Sequence, residues 1–585
     1  MSAFRAALAS LRALPLAAFW RMIGVMLRAA PRESALVFGV NLLTGATTPL
    51  LLWLGKLVID DVARLSTTRP ADPLAAIAGS PVLFAALIGF VAIHIIGDAL
   101  DSIGSFQFSA LRDRLELTVK ELVYTKISSF EDLAPFESPE LLNIKQLAEQ
   151  GLNRVRGLAM GLTNMAIGVG AAVPVLILSL SVAWWAPILI FLAAIPTILV
   201  NSHYVNRAWG IEQAQAGVVR RLQIYEEVLT APTYAKELRL FALQPVFLGA
   251  WRETFGAALA ELRAVRRRGT IAAIGASLVS GIGTTLPYLF VVQAALSRRF
   301  SLGDLALYAG LMFEARSILY KVIFNGSIVR EAAVGADAIF RLLDLPPTLV
   351  TRPAAPRITD APAGILVRDL RFSYPGSTMP ALDGVTLQIH PGEFVVVVGK
   401  NGAGKTTLGK LLCRLYDPQA GTIAWDGVDL CGCEPAALRR RIAVVAQDYA
   451  RFPATLADNI GFGQLARRED RAAITAAAGQ VGLVPLAEAL PHGFDTLLNK
   501  QFEDGTELSG GQWQRVALAR AALRQPTTEL LILDEPTAAL DPKIEHEIYG
   551  LLRELAQGRM ALVISHRLAL ARLADRPPCA MSRGV

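Results

Sequence analysis

Charge is scarce in this 585-residue chain: Asp, Glu, Lys and Arg together make up 18%, against about 25% in an ordinary soluble domain. Cysteine is scarcer. Cys413, Cys431, Cys433 and Cys579 form no C-x-x-C pair, and the six histidines supply no cluster beside them. That argues against a zinc module and a disulfide framework, and predicts reduced thiols. With 53% hydrophobic residues and a mean hydropathy of +0.43, a wholly soluble chain is excluded. The net charge of +7 would suit nucleic acid. The basic residues, however, cluster beside the apolar runs, as on the inner flank of a membrane protein, so no nucleic-acid partner is expected.

A spanning helix needs about 20 mostly apolar residues. Six stretches qualify, at 34–58, 81–100, 158–183, 187–200, 271–296 and 305–323. The fourth is short, and it meets the third at Ala183-Trp184-Trp185-Ala186-Pro187, a hairpin with its Trp pair at a membrane interface. No cleaved signal peptide is expected. Residues 14–27, flanked by Arg12 and Arg28, are predicted to lie along the membrane surface as an amphipathic helix. The segments between spans two and three and between spans four and five hold most of the Lys and Arg. They include Arg112, Arg114, Lys120, Lys126, Arg207, Arg220, Arg221 and Arg266 to Arg268. The opposite side holds only Arg64, Arg69, Arg298 and Arg299. This bias places both long basic loops, the N-terminus and the C-terminal domain in the cytoplasm. The loops are helical and charged in pattern, so the spans are predicted to run on past the membrane. Their tips at 136–148 and 230–243 would reach the cytoplasmic domain. His94, Asp98, Glu314 and Arg316 are ionisable residues inside or near the spans, and the sequence assigns them no role.

Composition changes near Pro346-Pro347. The expected domains are a membrane domain at 1–345, a Pro/Ala-rich linker at 346–363 and an α/β domain at 364–585. In the last, Phe394-Val395-Val396-Val397-Val398 reads as a buried strand. Next comes Gly399-Lys400-Asn401-Gly402-Ala403-Gly404-Lys405-Thr406, which fits G-x-x-x-x-G-K-S/T at every position. A helix from Thr407 follows. Strand, glycine loop and helix are the context a phosphate-binding loop requires. Backbone N–H groups and the helix N-terminus would face the phosphates. Lys405 would reach the β- and γ-phosphates, and Thr406 would hold Mg²⁺. A second apolar strand, Leu530 to Leu533, ends in Asp534-Glu535. Asp534 there can hold Mg²⁺, and Glu535 is placed as general base for an attacking water. Between them Ser509-Gly510-Gly511-Gln512 opens another helix and forms a second anion site. One γ-phosphate does not need two such sites, so the second is read as serving a nucleotide on another copy of the chain.

At this point the sequence resembles an ATP-binding-cassette (ABC) transporter of the exporter type, a half-transporter with its membrane domain first. Leu508-Ser509-Gly510-Gly511-Gln512 is similar to that family's signature. The resemblance implies an all-α six-helix transmembrane domain with long cytoplasmic helical extensions, followed by an α/β P-loop ABC ATPase domain. It implies roles for four more places. Tyr374 would stack on adenine, Gln447 would touch Mg²⁺, and His566 would sit at the γ-phosphate. Ala539-Leu540-Asp541 would line the dimer interface, with Asp541 in its loop. The implied cofactors are ATP and Mg²⁺, and the implied assembly is a homodimer in a lipid membrane, with the bacterial inner membrane as the expected location. Each ATP would lie between residues 399–407 of one copy and 509–512 of the other, driving export of a substrate.

Peptide, lipid and drug-like substrates are not separated by the sequence. The tips resemble those of bacterial lantibiotic-type peptide exporters, and a lipid flippase of the same architecture is the alternative. A non-pumping ATP-gated membrane protein is a further rival, opposed by Glu535. Two departures stand out. The stretch before the signature reads Asn499-Lys500-Gln501-Phe502-Glu503-Asp504-Gly505, where many exporters are similar to Thr-Glu-Val-Gly. After His566, Pro577-Pro578 break the pattern, and the final edge of the cassette is expected to be missing or rewritten.

Overall fold

The computed structural model describes residues 16–68, 77–182, 185–214, 216–349, 363–536 and 542–581. Two compact units emerge: Met1–Lys126 with Ile144–Asp344, and Ile127–Asn143 with Leu345–Val585.

The described residues of the first unit are helical apart from short turns. Helix α1 (Leu16–Ala29) buries Ala18, Met22 and Met26 on one stripe and leaves Trp20 exposed, the amphipathic pattern read from its sequence. Long helices follow: α2 (Pro31–Thr68), α3 (Pro81–Ser128), α4 (Pro139–Val182), α5 (Ala186–Ala214), α6 (Gln244–Leu296) and α7 (Leu302–Leu343). Three of them begin on proline, whose fixed φ and missing N–H suit a first turn. Among the described residues, α2, α3, α6 and most of α4 are long and apolar enough to cross a bilayer. Each long helix covers one of the apolar stretches almost entirely and runs beyond it on at least one side, as the charged flanks predicted.

Close approach, rather than apolar bulk, fixes the packing of α2 on α4. A Cβ on Gly45 would lie 2.2 Å from the Ile167 carbonyl oxygen, and one on Gly170 would lie 2.1 Å from that of Leu42. Only glycine lets the two backbones touch there. Asn164 donates to Asn325 Oδ1 at 3.0 Å, joining α4 to α7. Helix α7 starts with a capping box between Ser301 and Asp304, and Lys56 of α2 pairs with Asp304 at 2.6 Å. Glu314 faces Lys321 of its own helix at 3.7 Å, while His94, Asp98 and Arg316 are exposed. Of the Trp pair, Trp184 lies outside the described residues, and Trp185 meets Phe290 edge-on at 5.2 Å.

The second unit contains two sheets. Strands β1 (Ile365–Phe372), β2 (Leu382–Ile389), β4 (Ala420–Trp425) and β5 (Val428–Asp429) form an antiparallel sheet in the order β2-β1-β4-β5. Strands β3 (Phe394–Gly399), β6 (Ile442–Val445), β7 (Leu530–Asp534), β8 (Met560–Ser565) and β9 (Cys579–Met581) form a parallel sheet in the order β6-β7-β8-β3-β9. All five residues of β7 and all six of β8 are buried, as expected for parallel strands covered on both faces. Helices α8 (Lys405–Leu412), α9 (Gly510–Arg524) and α10 (Pro542–Ala556) belong to this unit.

At the C-terminal edge a short strand follows the two prolines. Pro577 and Pro578 do not end the sheet. They immediately precede β9, which pairs in parallel with Val397, Val398 and Gly399 of β3. Both prolines stand before the ladder begins, where no N–H has to be donated. Asp575 ties this segment down: it accepts from the Phe394 amide at 2.7 Å and returns its own N–H to the Phe394 carbonyl at 3.1 Å.

Candidate nucleotide site

Three strands of the parallel sheet deliver the site. Strand β3 ends in the glycine loop, β7 in Asp534-Glu535, and β8 in Ser565-His566. Because β7, β8 and β3 are parallel neighbours, all three end on one edge. That is where parallel sheets bind ligands.

The glycine loop turns tightly into α8. Gly402 and Gly404 have φ of 79° and 88°, in the region that disfavours a side chain. A Cβ on Gly404 would lie 2.4 Å from the Ala381 carbonyl oxygen. The Lys405 ammonium folds back over the loop and donates to the carbonyls of Gly399 at 2.8 Å and Lys400 at 3.0 Å. Thr407 is buried, and its hydroxyl pairs with the Tyr374 hydroxyl at 3.0 Å.

Asp534 and Glu535 differ in setting. Asp534 is buried, and burial pushes its carboxyl pKa upward, a shift opposed by a hydrogen bond with Thr406. Its Oδ1 is enclosed without a protein partner. Glu535 adopts φ of 48°, which a side chain rarely takes. Its N–H donates to the Ile564 carbonyl of β8 at 2.9 Å and fixes this turn. The turn aims the carboxylate at two partners. Gln447 Nε2 donates to Oε2 at 3.2 Å, and His566 Nδ1 lies 3.2 Å from Oε1.

These groups line one cleft of about 790 Å³, walled by Tyr374, residues 376–381, residues 401–407, Gln447, Glu535 and His566. The structure thus brings together Tyr374, Asn401, Gly402, Ala403, Gly404, Lys405, Thr406, Thr407, Gln447, Glu535 and His566. Gly399 and Lys400 contribute carbonyls beneath the loop. Ser509, Gly510, Gly511 and Gln512 do not line it. They open α9 as a reciprocal capping box, with Ser509 N donating to Gln512 Oε1 at 2.8 Å and Gln512 N to Ser509 Oγ at 3.3 Å. Asp541 lies outside the described residues. The wall at Ser377, Thr378 and Met379 escaped the sequence reading. Its only trace was the turn-rich run Pro375-Gly376-Ser377 after Tyr374.

A phosphate loop at the end of a parallel strand, paired carboxylates two strands away and a Leu-Ser-Gly-Gly-Gln helix define an ATP-binding cassette. Residues 382–538 match the ABC transporter family. A second, overlapping match at residues 506–572 is to an AAA domain described as a putative AbiEii toxin of a type IV toxin–antitoxin system. The chain as a whole shares the fold of the solved structure of a bacterial Atm1-family ABC exporter with ATP bound. That match has a TM-score of 0.67 at 23% identity and covers 95% of this chain and 94% of the other. Among curated proteins it is similar to the ATP-dependent lipid A-core flippase of Aromatoleum aromaticum. The identity is 41% over 279 residues, covering 47% of this chain and 44% of the relative. The flippase of the same name from Dechloromonas aromatica is 35% identical over 330 residues, 55% of each chain. The chain thus matches about half the length of these curated relatives. The C-terminal domain is an ABC ATPase domain that binds ATP, and the helical unit is of the membrane type.

Proposed function

We propose that this chain is one half of an ATP-driven ABC exporter that hydrolyses ATP to move a lipid across the bacterial inner membrane. The observation that carries the reading is the convergence of Gln447 and His566 on the Glu535 carboxylate beside the phosphate loop. A carboxylate held from two sides at the phosphate end of a cleft is placed to take a proton from an attacking water.

In this reading the base of ATP rests on Tyr374, and the triphosphate lies along residues 399–407. Lys405 leaves its two loop carbonyls for the phosphate oxygens, exchanging neutral acceptors for charged ones. Glu535 accepts the proton of the water, and His566 orients that carboxylate. The residues present fit Mg²⁺: Asp534 Oδ1 is buried without a protein partner, and Thr406 is its hydrogen-bonded neighbour. Thr406, Asp534 and Gln447 would hold the ion, which neutralises charge on the phosphates when bound. Helix α9, capped by Ser509, lies off this cleft with Ser509 and Gly510 exposed. It would complete the site of a second copy, giving a homodimer with two equivalent sites. Asp541 would lie in the interface between copies.

The lipid substrate rests on the names of the relatives, both lipid A-core flippases. The cytoplasmic placement of the cassette rests on the Lys and Arg of the long loops. The test is Glu535→Gln in the full chain reconstituted in lipid vesicles. ATP binding should persist while phosphate release and lipid translocation stop together. Hydrolysis at the parent rate would remove Glu535 from the role given to it. Stimulation of ATPase activity by peptides or drugs but not by lipids would overturn the substrate.

A further inference from the structure

The segment Ile127–Asn143 folds as part of the cassette unit. It is anchored by backbone and charge. Leu133 N donates to the Leu415 carbonyl at 3.2 Å. Arg439 donates to the carbonyls of Glu131 at 2.6 Å, Arg414 at 2.7 Å and Cys413 at 3.1 Å. One carboxylate of the segment reaches farther in. Glu137 Oε1 accepts from Lys410 Nζ at 3.3 Å, and its Oε2 accepts the hydroxyl of Tyr416. Tyr416 is buried, so its hydroxyl needs this acceptor.

Both partners of Glu137 touch Tyr374. The Tyr416 ring meets the Tyr374 ring edge-on at 5.6 Å, and Phe372 closes the triangle at 5.1 Å from Tyr416 and 5.2 Å from Tyr374. Lys410 Nζ lies 5.1 Å from the Tyr374 ring centroid and 5.8 Å from that of Tyr416, within cation–π range. Lys410 stands on α8, one turn beyond Thr406 and Thr407, and Thr407 holds the Tyr374 hydroxyl. The tyrosine that walls the nucleotide cleft is thus fixed at its tip by the phosphate-loop helix. On its flanks it is fixed by a lysine and a tyrosine that one carboxylate from a distant part of the chain holds in place.

We propose that Glu137 is a positioning residue of the nucleotide site: through Tyr416 and Lys410 it sets the Tyr374 ring against the nucleobase. This rests on the reading above that Tyr374 stacks on the base. Removing the charge releases Lys410, weakens the acceptor for Tyr416 and lets the Tyr374 ring drift, while the phosphate loop itself stays intact. The loss should therefore fall on the base and spare the phosphates.

The experiment compares two ligands in the purified full chain: ATP, and inorganic tripolyphosphate, which has the phosphates without the base. In Glu137→Gln, ATP affinity should fall about 3- to 10-fold, with tripolyphosphate affinity changed less than about twofold. Tyr416→Phe keeps the ring and removes only the hydroxyl, and should give a smaller loss of the same selectivity. In a Tyr374→Ala background, Glu137→Gln should add nothing further. Equal losses for both ligands, no loss for either, or full additivity with Tyr374→Ala would each overturn the proposal. The two readings fail differently. If Tyr374→Ala leaves the preference for ATP over tripolyphosphate intact, base stacking itself is wrong. If Tyr374→Ala abolishes that preference and Glu137→Gln does not reduce it, only the positioning role is wrong.

Discussion

His566 Nδ1 lies 3.2 Å from Glu535 Oε1, so the imidazole at the end of β8 and the carboxylate after β7 form one unit. Groups that act as a unit are not additive in their effects. His566→Ala should lower kcat by about 10- to 100-fold with little change in KM. Adding it to Glu535→Gln should cost almost nothing more. A double variant as slow as the product of the two single losses would show that the contact has no part in turnover.

Gly404 has no room for a side chain, since its Cβ would meet the Ala381 carbonyl and the Leu382 side chain. Its φ of 88° also penalises any L-residue. Gly404→Ala should weaken ATP binding by more than about 10-fold, measured by titration with a fluorescent nucleotide. Retention of parent affinity would mean that the loop can re-form around a methyl group.

Ser509 caps α9 through its hydroxyl. Removing a cap costs about 1 kcal/mol. Ser509→Ala should lower the thermal unfolding midpoint, and Ser509→Asp should restore it. If the second-copy reading is right, both variants slow turnover by at least about 10-fold, because the hydroxyl is absent in one and a negative charge faces the γ-phosphate in the other. Recovery of turnover together with stability in Ser509→Asp would limit the serine to capping.

Asp575 ties the segment before β9 to Phe394 of β3. Its carboxyl pKa is held below the ordinary carboxylate value, first by the hydrogen bond from Arg553 and also by the Phe394 amide, against the opposing effect of burial. A pKa lower in the folded state means stabilisation that is present above the ordinary value of about 4. It is lost as pH falls from there through the depressed value. Asp575→Asn should therefore lower the unfolding midpoint at pH 7, with the deficit shrinking as pH falls below about 4. A difference that persists unchanged at pH 3 would assign the effect to packing instead of charge.

Much of this was legible in the chain. The apolar stretches at 34–58 and 81–100 each fall within one long helix, because a bilayer demands about 20 apolar residues in a row. The glycine loop was legible because few backbone paths wrap a phosphate, and each leaves glycines at fixed spacing. The edge strand at Cys579–Met581 was not. Two prolines argue against a strand that contains them and say nothing about one that begins just after. Nor was the Glu137–Tyr416 bond, whose partners stand 279 residues apart. No local pattern records a pairing across that distance.

The sequence alone determined the long apolar helices, the phosphate loop and the order of Tyr374, Gln447, Ser509, Glu535 and His566, because these follow from hydropathy, backbone sterics and short-range spacing. Only the tertiary structure decided which side chains meet. The parallel order β7-β8-β3 puts Glu535, His566 and Lys405 on one edge, and the left-handed turn at Glu535 aims its carboxylate at His566. The physical reason is that strand order and the aim of a buried carboxylate are set by packing between distant segments, and the spacing of residues along a chain carries no record of that.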